Sequence, residues 1–309
     1  MDGCGVGFGW QTWRRQRHPG LFVVAVAVVA SACSSGSQPA GRSAQTPPAA
    51  STPPASAGTG ASPRPVAAAG AANPAGPAAA VLARSHVPVL CYHQIRDWRL
   101  ADSRPDRSLI TPVAVFAQQM DTLARWDYHT VTPDQLYRHL TGGTALPPRP
   151  ILISFDDGSM GQWPNAVPIL RAHRFTATFF IMTVTIDKPG GWLSARQIQA
   201  LDRSGMTIGV HTWDHHAVTG YRPADWRVQL SGAKTTLESI VGHRIPWFAY
   251  PYGSWNAAAL PHLADGGVAM AFQLAGPNSP SMPQLTVRRI MPSPYWSLST
   301  FATQITTRF

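Results

Sequence analysis

Two short segments carry residue types that could do hydrolytic chemistry together. Ile151-Leu-Ile-Ser-Phe-Asp156-Asp157-Gly158 is an apolar run that ends in paired carboxylates. Downstream, Met206-Thr-Ile-Gly-Val210 is a second apolar run, closed by His211-Thr-Trp-Asp-His215. Continuous apolar runs are how buried parallel strands read. Each run therefore delivers its polar residues at a strand's C-terminal end, where α/β folds build their sites. One carboxylate and two imidazoles make a three-ligand set for a divalent metal with an open position for water. The other carboxylate is left over, and a spare base beside such a metal points to hydrolysis.

The elements that must position these residues alternate along the chain. Val87 to His93 reads as a first strand. Thr111-Pro112 offers a helix N-cap with Pro at the first helical position, and Phe116, Met120 and Leu123 then form a helical stripe. Strands are expected at 129–132, 151–155, 177–182, 206–210, 247–250 and 269–274. Helices are expected between them, at 133–140, 165–173, 194–204, 224–241 and 256–264. Repeated strand–helix units imply a mostly parallel sheet. About seven units fit a barrel better than a small open sheet, with 286–290 and 298–307 closing the chain.

The ends of these strands supply a resemblance. Ser154-Phe155-Asp156-Asp157-Gly158, His211-Thr212-Trp213-Asp214-His215 and Phe248-Ala249-Tyr250-Pro251-Tyr252-Gly253 occur in order. Together they resemble the polysaccharide deacetylase family, carbohydrate esterase family 4, over about residues 87 to 291. The resemblance implies a distorted (β/α)7-type α/β barrel. It implies Asp156 as general base and Asp157, His211 and His215 as ligands of a divalent metal; zinc suits this nitrogen and oxygen donor set, and other first-row metals do too. It also implies that the Tyr252 backbone N–H helps hold an oxyanion. His216 offers a second spacing from His211, and His215 is preferred because its spacing is the usual one. Two positions depart from the common pattern. Ala249 stands where the family usually has an Arg that orients the base, and no late Leu-x-His supplies an acid. The chain instead resembles the circularly permuted subset that deacetylates poly-N-acetylglucosamine, with its Tyr-His motif on an early strand. That motif reads Leu90-Cys91-Tyr92-His93-Gln94 here, so His93 is the implied acid. Arg288 or Arg289 stands as a replacement for the absent Arg, and Cys91 reads as a small buried hydrophobe.

The N-terminal part is of another kind. Arg14, Arg15 and Arg17 precede an apolar stretch from Leu21 to Ala32. At 12 residues it falls short of the ~20 that span a bilayer, and Ala30-Ser31-Ala32 fits a signal cleavage site. Cys33 follows at once, as in a bacterial lipobox, so residues 1–32 read as an export signal with a lipid expected on Cys33. A plainly secreted chain and an uncleaved anchor are the other readings. Residues 33–80 are Ala, Pro, Ser, Gly and Thr with almost no large apolar residue. They read as a disordered tether that lifts the domain, residues 81–309, off the outer face of the cell membrane.

The net charge is +10. Asp2 and the arginines at 14, 15, 17, 42 and 64 account for four of these charges, leaving six on the folded part. A basic face suits an anionic envelope, and a solvated surface explains it as well. No basic helix, zinc-finger spacing or aromatic-and-basic strand points to nucleic acid. The expected activity is metal-dependent removal of acetyl groups from N-acetylhexosamines of an extracellular polymer such as poly-N-acetylglucosamine or cell-wall glycan. An O-acetyl polysaccharide esterase and a surface glycan-binding lipoprotein with a relict site are the rivals.

Overall fold

The computed structural model describes residues 78–309. The expected export signal, Cys33 and nearly all of the expected tether lie outside the described residues. The strands are β1 (Val89–Tyr92), β2 (Gln94–Ile95), β3 (Ile110–Thr111), β4 (His129–Thr130), β5 (Pro150–Phe155), β6 (Thr178–Ile181), β7 (Thr207–Val210), β8 (Trp247–Ala249) and β9 (Met270–Phe272). All pairings between them are parallel. The main sheet runs β1-β5-β6-β7-β8-β9, with β4 beside the first half of β5. Residues 287–290 bridge Phe272 on one side and Leu90 on the other. Their main chain bonds Ala271 and Gln273 of the β9 side and Val89 and Cys91 of β1, so the curled sheet closes on itself. This is the expected barrel, with its last stave made from a segment too short to pair as a regular strand.

Period-two alternation divides the strand residues between two cores. Val89, Leu152, Phe180, Ala249, Met270, Phe272 and Val287 share one cluster. The helices α1 (Ala78–Ala83) and α4 (Pro133–Gly142) add Val81, Leu136 and Leu140 to it. The intervening positions, Leu90, Tyr92, Ile153, Phe155, Phe179, Ile208 and Phe248, share the other cluster. Helices α3 (Val113–Arg125), α5 (Ala166–Ala172), α6 (Ala195–Arg203), α7 (Ala233–Val241), α8 (Ala259–Asp265) and α9 (Leu298–Thr307) bury their stripes in that second core. Phe155 stacks on Phe179 at 4.9 Å, and Tyr92 meets Phe116 edge-on at 5.0 Å.

Local chemistry sets the helix starts. Thr132 with Gln135, and Ser194 with Gln197, form capping boxes at α4 and α6, each satisfying donors the first helical turn leaves open. A third box, Ser103 with Asp106, opens the short α2 (Arg104–Ser108). Two expectations shift. Thr111 is not an N-cap, because it pairs with Ile95 in a small parallel ladder, and Pro112 then caps a helix that starts at Val113. The expected helix at 224–241 begins instead with a wide π turn at Arg227–Gly232.

Candidate active site

The pairing register puts the chemistry on one rim. Tyr92 lies opposite Phe155, so the next residues, His93 and Asp156, leave adjacent strands at the same level. β7 ends at Val210, and His211 follows it directly. Tight turns then bring the remaining groups round. Asp157, Thr212, His215 and Tyr252 all adopt left-handed φ, between 60° and 72°. Such angles are strained for residues with a Cβ, most of all for β-branched Thr212. Among the described residues, half of the eight non-glycine residues with positive φ thus sit at this rim, and backbone strain tends to concentrate at functional sites. Gly158 (φ 78°) completes the turn after the aspartates, and a Cβ there would meet Ile181 at 3.1 Å.

Asp157, His211 and His215 converge. The Asp157 Oδ1 lies 3.4 Å from His211 Nε2 and 3.5 Å from His215 Nε2. His211 Nδ1 bonds the Ala249 carbonyl at 2.8 Å, which places a proton on Nδ1 and turns Nε2 towards Asp157; burial lowers this imidazole, but Asp156 and Asp157 raise it on balance. Both Asp157 Oδ1 and His211 Nε2 are buried without a hydrogen-bond partner, an unfavourable state for polar atoms unless something binds them. Burial and the neighbouring His211 push the His215 imidazole down to about 4, so this ring is neutral at ordinary pH. Two imidazoles and a carboxylate, with orphaned atoms facing one another, fit a divalent cation with nitrogen and oxygen ligands. His216 does not join them. Its Nδ1 is held by Asp214 at 2.7 Å, and its side chain is exposed. Gln229, in the π turn, braces the same loop by donating to Asp214 at 2.7 Å and accepting from the Trp213 N–H at 3.2 Å.

Asp156 has a separate environment. Arg289, on the closing segment, donates from Nη1 to Oδ1 at 2.6 Å and from Nη2 to Oδ2 at 2.7 Å. Its remaining donors reach Ser154 Oγ and the Gln273 carbonyl. Burial alone would raise the Asp156 carboxyl, but the Arg289 guanidinium and His211 outweigh it and hold it well below the usual carboxylate range. Arg289 is itself buried, with its guanidinium 5.5 Å from the centre of the Phe180 ring. The arginine missing at Ala249 is therefore supplied from another strand. Arg288 donates nothing to Asp156 among the bonds of the described residues. Cys91 is buried, as expected, but it is more than filler: its S–H points to Asp156 Oδ2 at 3.4 Å. A ring nitrogen of His93 lies within 4.8 Å of both Cys91 Sγ and an Asp156 oxygen. Gln162 fixes that strand end by donating to the His93 and Asp156 carbonyls.

Tyr252 stands at the mouth, half exposed, with its ring edge-on to His215 at 4.5 Å. Tyr250 is instead fully buried and donates its hydroxyl to the Leu285 carbonyl. Trp213 is exposed at the rim, whereas Trp255 packs partly against the core. Gln162 and Gln229 had no spacing or motif to mark them in the sequence, and Ser154, though part of the first motif, had no role assigned to it.

A curled parallel α/β sheet whose rim gathers two aspartates, three histidines and a buried arginine defines a hydrolase-type site. The family model for polysaccharide deacetylases matches residues 143–271. YxkH of Bacillus subtilis (strain 168) is 26% identical over 220 residues, covering 71% of this chain and 76% of that protein. The poly-beta-1,6-N-acetyl-D-glucosamine N-deacetylase of Escherichia coli (strain K12) is 22% identical over 260 residues, and only 38% of its length is matched. The solved Streptococcus pyogenes deacetylase PplD superposes with a TM-score of 0.65 at 22% identity, over 71% of this chain and 97% of that one. Residues 143–271 thus carry a polysaccharide deacetylase domain, of the class of hydrolases of carbon–nitrogen bonds other than peptide bonds.

Proposed function

We propose that this chain removes acetyl groups from N-acetylhexosamine units of an extracellular polysaccharide, with a β-linked N-acetylglucosamine polymer as the leading candidate. The observation that carries the reading is the pair of orphaned buried atoms, Asp157 Oδ1 and His211 Nε2, set 3.4 Å apart beside His215. Asp157, His211 and His215 would hold a divalent cation, with zinc suited to this donor set. When bound, that ion supplies Lewis-acid polarisation of the acetamide carbonyl and lowers the pKa of water.

The chain's own residues do the rest. Asp156 is ionised at neutral pH and held still by Arg289. It therefore accepts a proton from the attacking water. The Tyr252 backbone N–H, set in its left-handed turn, faces the developing oxyanion. One such donor is worth ~10²–10³ in rate. His93, across from Asp156, delivers a proton to the departing nitrogen as the C–N bond breaks. The products are acetate and a free amine on the polymer. The signal-like N-terminus and Cys33 support export, with lipid anchoring on the outer membrane face.

The test is acetate release by the full chain from N-acetylglucosamine oligomers, with and without chelator, beside acetylated xylan. Asp157→Ala is expected to abolish release and metal content together. Full activity in that variant sinks the metal assignment. Release from xylan alone favours O-acetyl esterase action. Metal-free, inert protein that still binds the oligomers favours a relict glycan binder.

A further inference from the structure

Cys91, His93 and Asp156 offer a second set of ligating atoms beside the first. A thiol sulfur, an imidazole nitrogen and a carboxylate oxygen lie within 4.8 Å of one another. None of the three belongs to the Asp157, His211 and His215 group. Cys91 Sγ stands 3.4 Å from Asp156 Oδ2. Zinc–sulfur and zinc–oxygen bonds of about 2.3 and 2.0 Å at a tetrahedral angle set the two ligand atoms about 3.5 Å apart. The sulfur and oxygen thus already hold the spacing an ion needs. Half-buried His93, directly after β1, supplies the third side.

We propose that Cys91, His93 and Asp156 form a second, weaker cation site, selective for soft or borderline divalent ions, whose filling stops catalysis. The selectivity comes from the thiol. Sulfur favours zinc, cadmium and cobalt, whereas magnesium and calcium take oxygen ligands. On binding, the Cys91 S–H bond gives way to a sulfur–metal bond and the proton leaves to solvent, with no change of oxidation state. The weakness comes from charge. The Arg289 guanidinium is 2.7 Å from Asp156 Oδ2. The same oxygen lies 3.9 Å from His211 Nε2, at the edge of the first cation site. Two positive neighbours so close repel an incoming cation. The inhibitory consequence rests on the function proposed above, because the ion would take up the base and the acid at once. The binding site itself does not rest on it.

Cobalt is the probe, since a cobalt–thiolate bond absorbs in the near ultraviolet and a cobalt–imidazole–carboxylate centre does not. The full chain with one equivalent of Co²⁺ should show no thiolate band. Excess Co²⁺ should bring the band in together with at least a tenfold fall in acetate release, and excess Mg²⁺ should do neither. Cys91→Ser should lose the band, keep the first equivalent, and need at least tenfold more metal for inhibition, whatever its basal rate. His93→Ala should weaken the second binding event at least tenfold, as read by the band. Cys4 and Cys33 remain in both variants as internal controls. No band in the wild type at saturating cobalt, or a band unchanged in Cys91→Ser, overturns the site. A Cys91-dependent band without loss of activity overturns the inhibitory role. A wild type that releases no acetate at any metal level counts against the proposed function, while the absorption still decides the site.

Discussion

Replacing Arg289 with glutamine removes a cation from beside the Asp156 carboxylate and keeps a polar side chain in its place. In the native protein both partners are buried, and the guanidinium meets both carboxylate oxygens at 2.6 and 2.7 Å. Taking one partner from such a pair leaves a charged group buried alone, which costs about 3–5 kcal/mol. That cost depends on pH with a definite sign. In the wild type the Asp156 carboxyl is held low by Arg289 and His211 against the effect of burial. Its contribution is therefore complete above the unfolded value of ~3.9 and is lost as pH falls through the depressed folded value. In Arg289→Gln, burial acts without the guanidinium and the carboxyl titrates higher. The penalty is then full near neutrality and eases as the pH falls towards ~4, where the carboxyl becomes neutral in either state. Urea unfolding of chelator-treated protein near pH 7 and again near pH 5 reads both quantities. The expected gap between wild type and variant is about 3–5 kcal/mol near neutrality, and smaller in acid. A gap below about 1 kcal/mol, or one that stays constant with pH, refutes the role given to this pair.

Three further outcomes are expected. Metal analysis should find the ion lost in His215→Ala and kept in His216→Ala, because Asp214 already engages the His216 ring. Gly253→Ala should lower Tm by about 3–10 °C in a melting experiment, from strain of ~1–3 kcal/mol. A Cβ at that position would meet Leu274 at 2.6 Å, and the backbone φ is +62°. His243 pairs with Asp202 at 2.9 Å. Burial pulls the imidazole down, but the Arg244 carbonyl and Asp202 raise it on balance. The contribution is therefore present below the unfolded value of ~6.5 and lost as pH rises through the folded one. His243→Ala should cost only a few tenths of a kcal/mol near pH 6 and nothing near pH 9, given solvent screening of an exposed pair.

Much of this was legible in the sequence because it is local. Apolar runs mark β5 and β7, and covalent adjacency fixes which residues emerge from the end of each strand. Asp156, Asp157, His211 and His215 could thus be placed on one rim from the sequence alone. The early Tyr92-His93 pair could be placed for the same reason. The preference for His215 over His216 rested on spacing, and the structure adds the physical cause, an Asp214 that occupies the alternative. What the sequence left open depends on contacts between distant segments. Arg289 lies 133 residues from Asp156, and nothing in Val287-Arg288-Arg289-Ile290 shows which of two arginines turns inward. Register decides it, since inward Val287 puts Arg289 on the same face. Cys91 was read by its residue type alone. Its link to Asp156 arises from the pairing of β1 with β5, which places Cys91 opposite Ser154. The π turn that brings Gln229 under Asp214 had no signal at all, because one extra residue per turn leaves the apolar pattern almost unchanged.

The closing segment has a consequence for the order in which the enzyme becomes competent. A polypeptide made, or threaded through a pore, from its N-terminus presents His93, then the aspartates, then the histidine loop, and only afterwards the guanidinium that restrains Asp156. A product that ends between Gly253 and Val287 carries the three motifs but lacks the bridges that close the sheet and the guanidinium bonded to Asp156. The partner of Asp156 therefore comes from a segment that none of the motifs includes, and only the folded register brings it there.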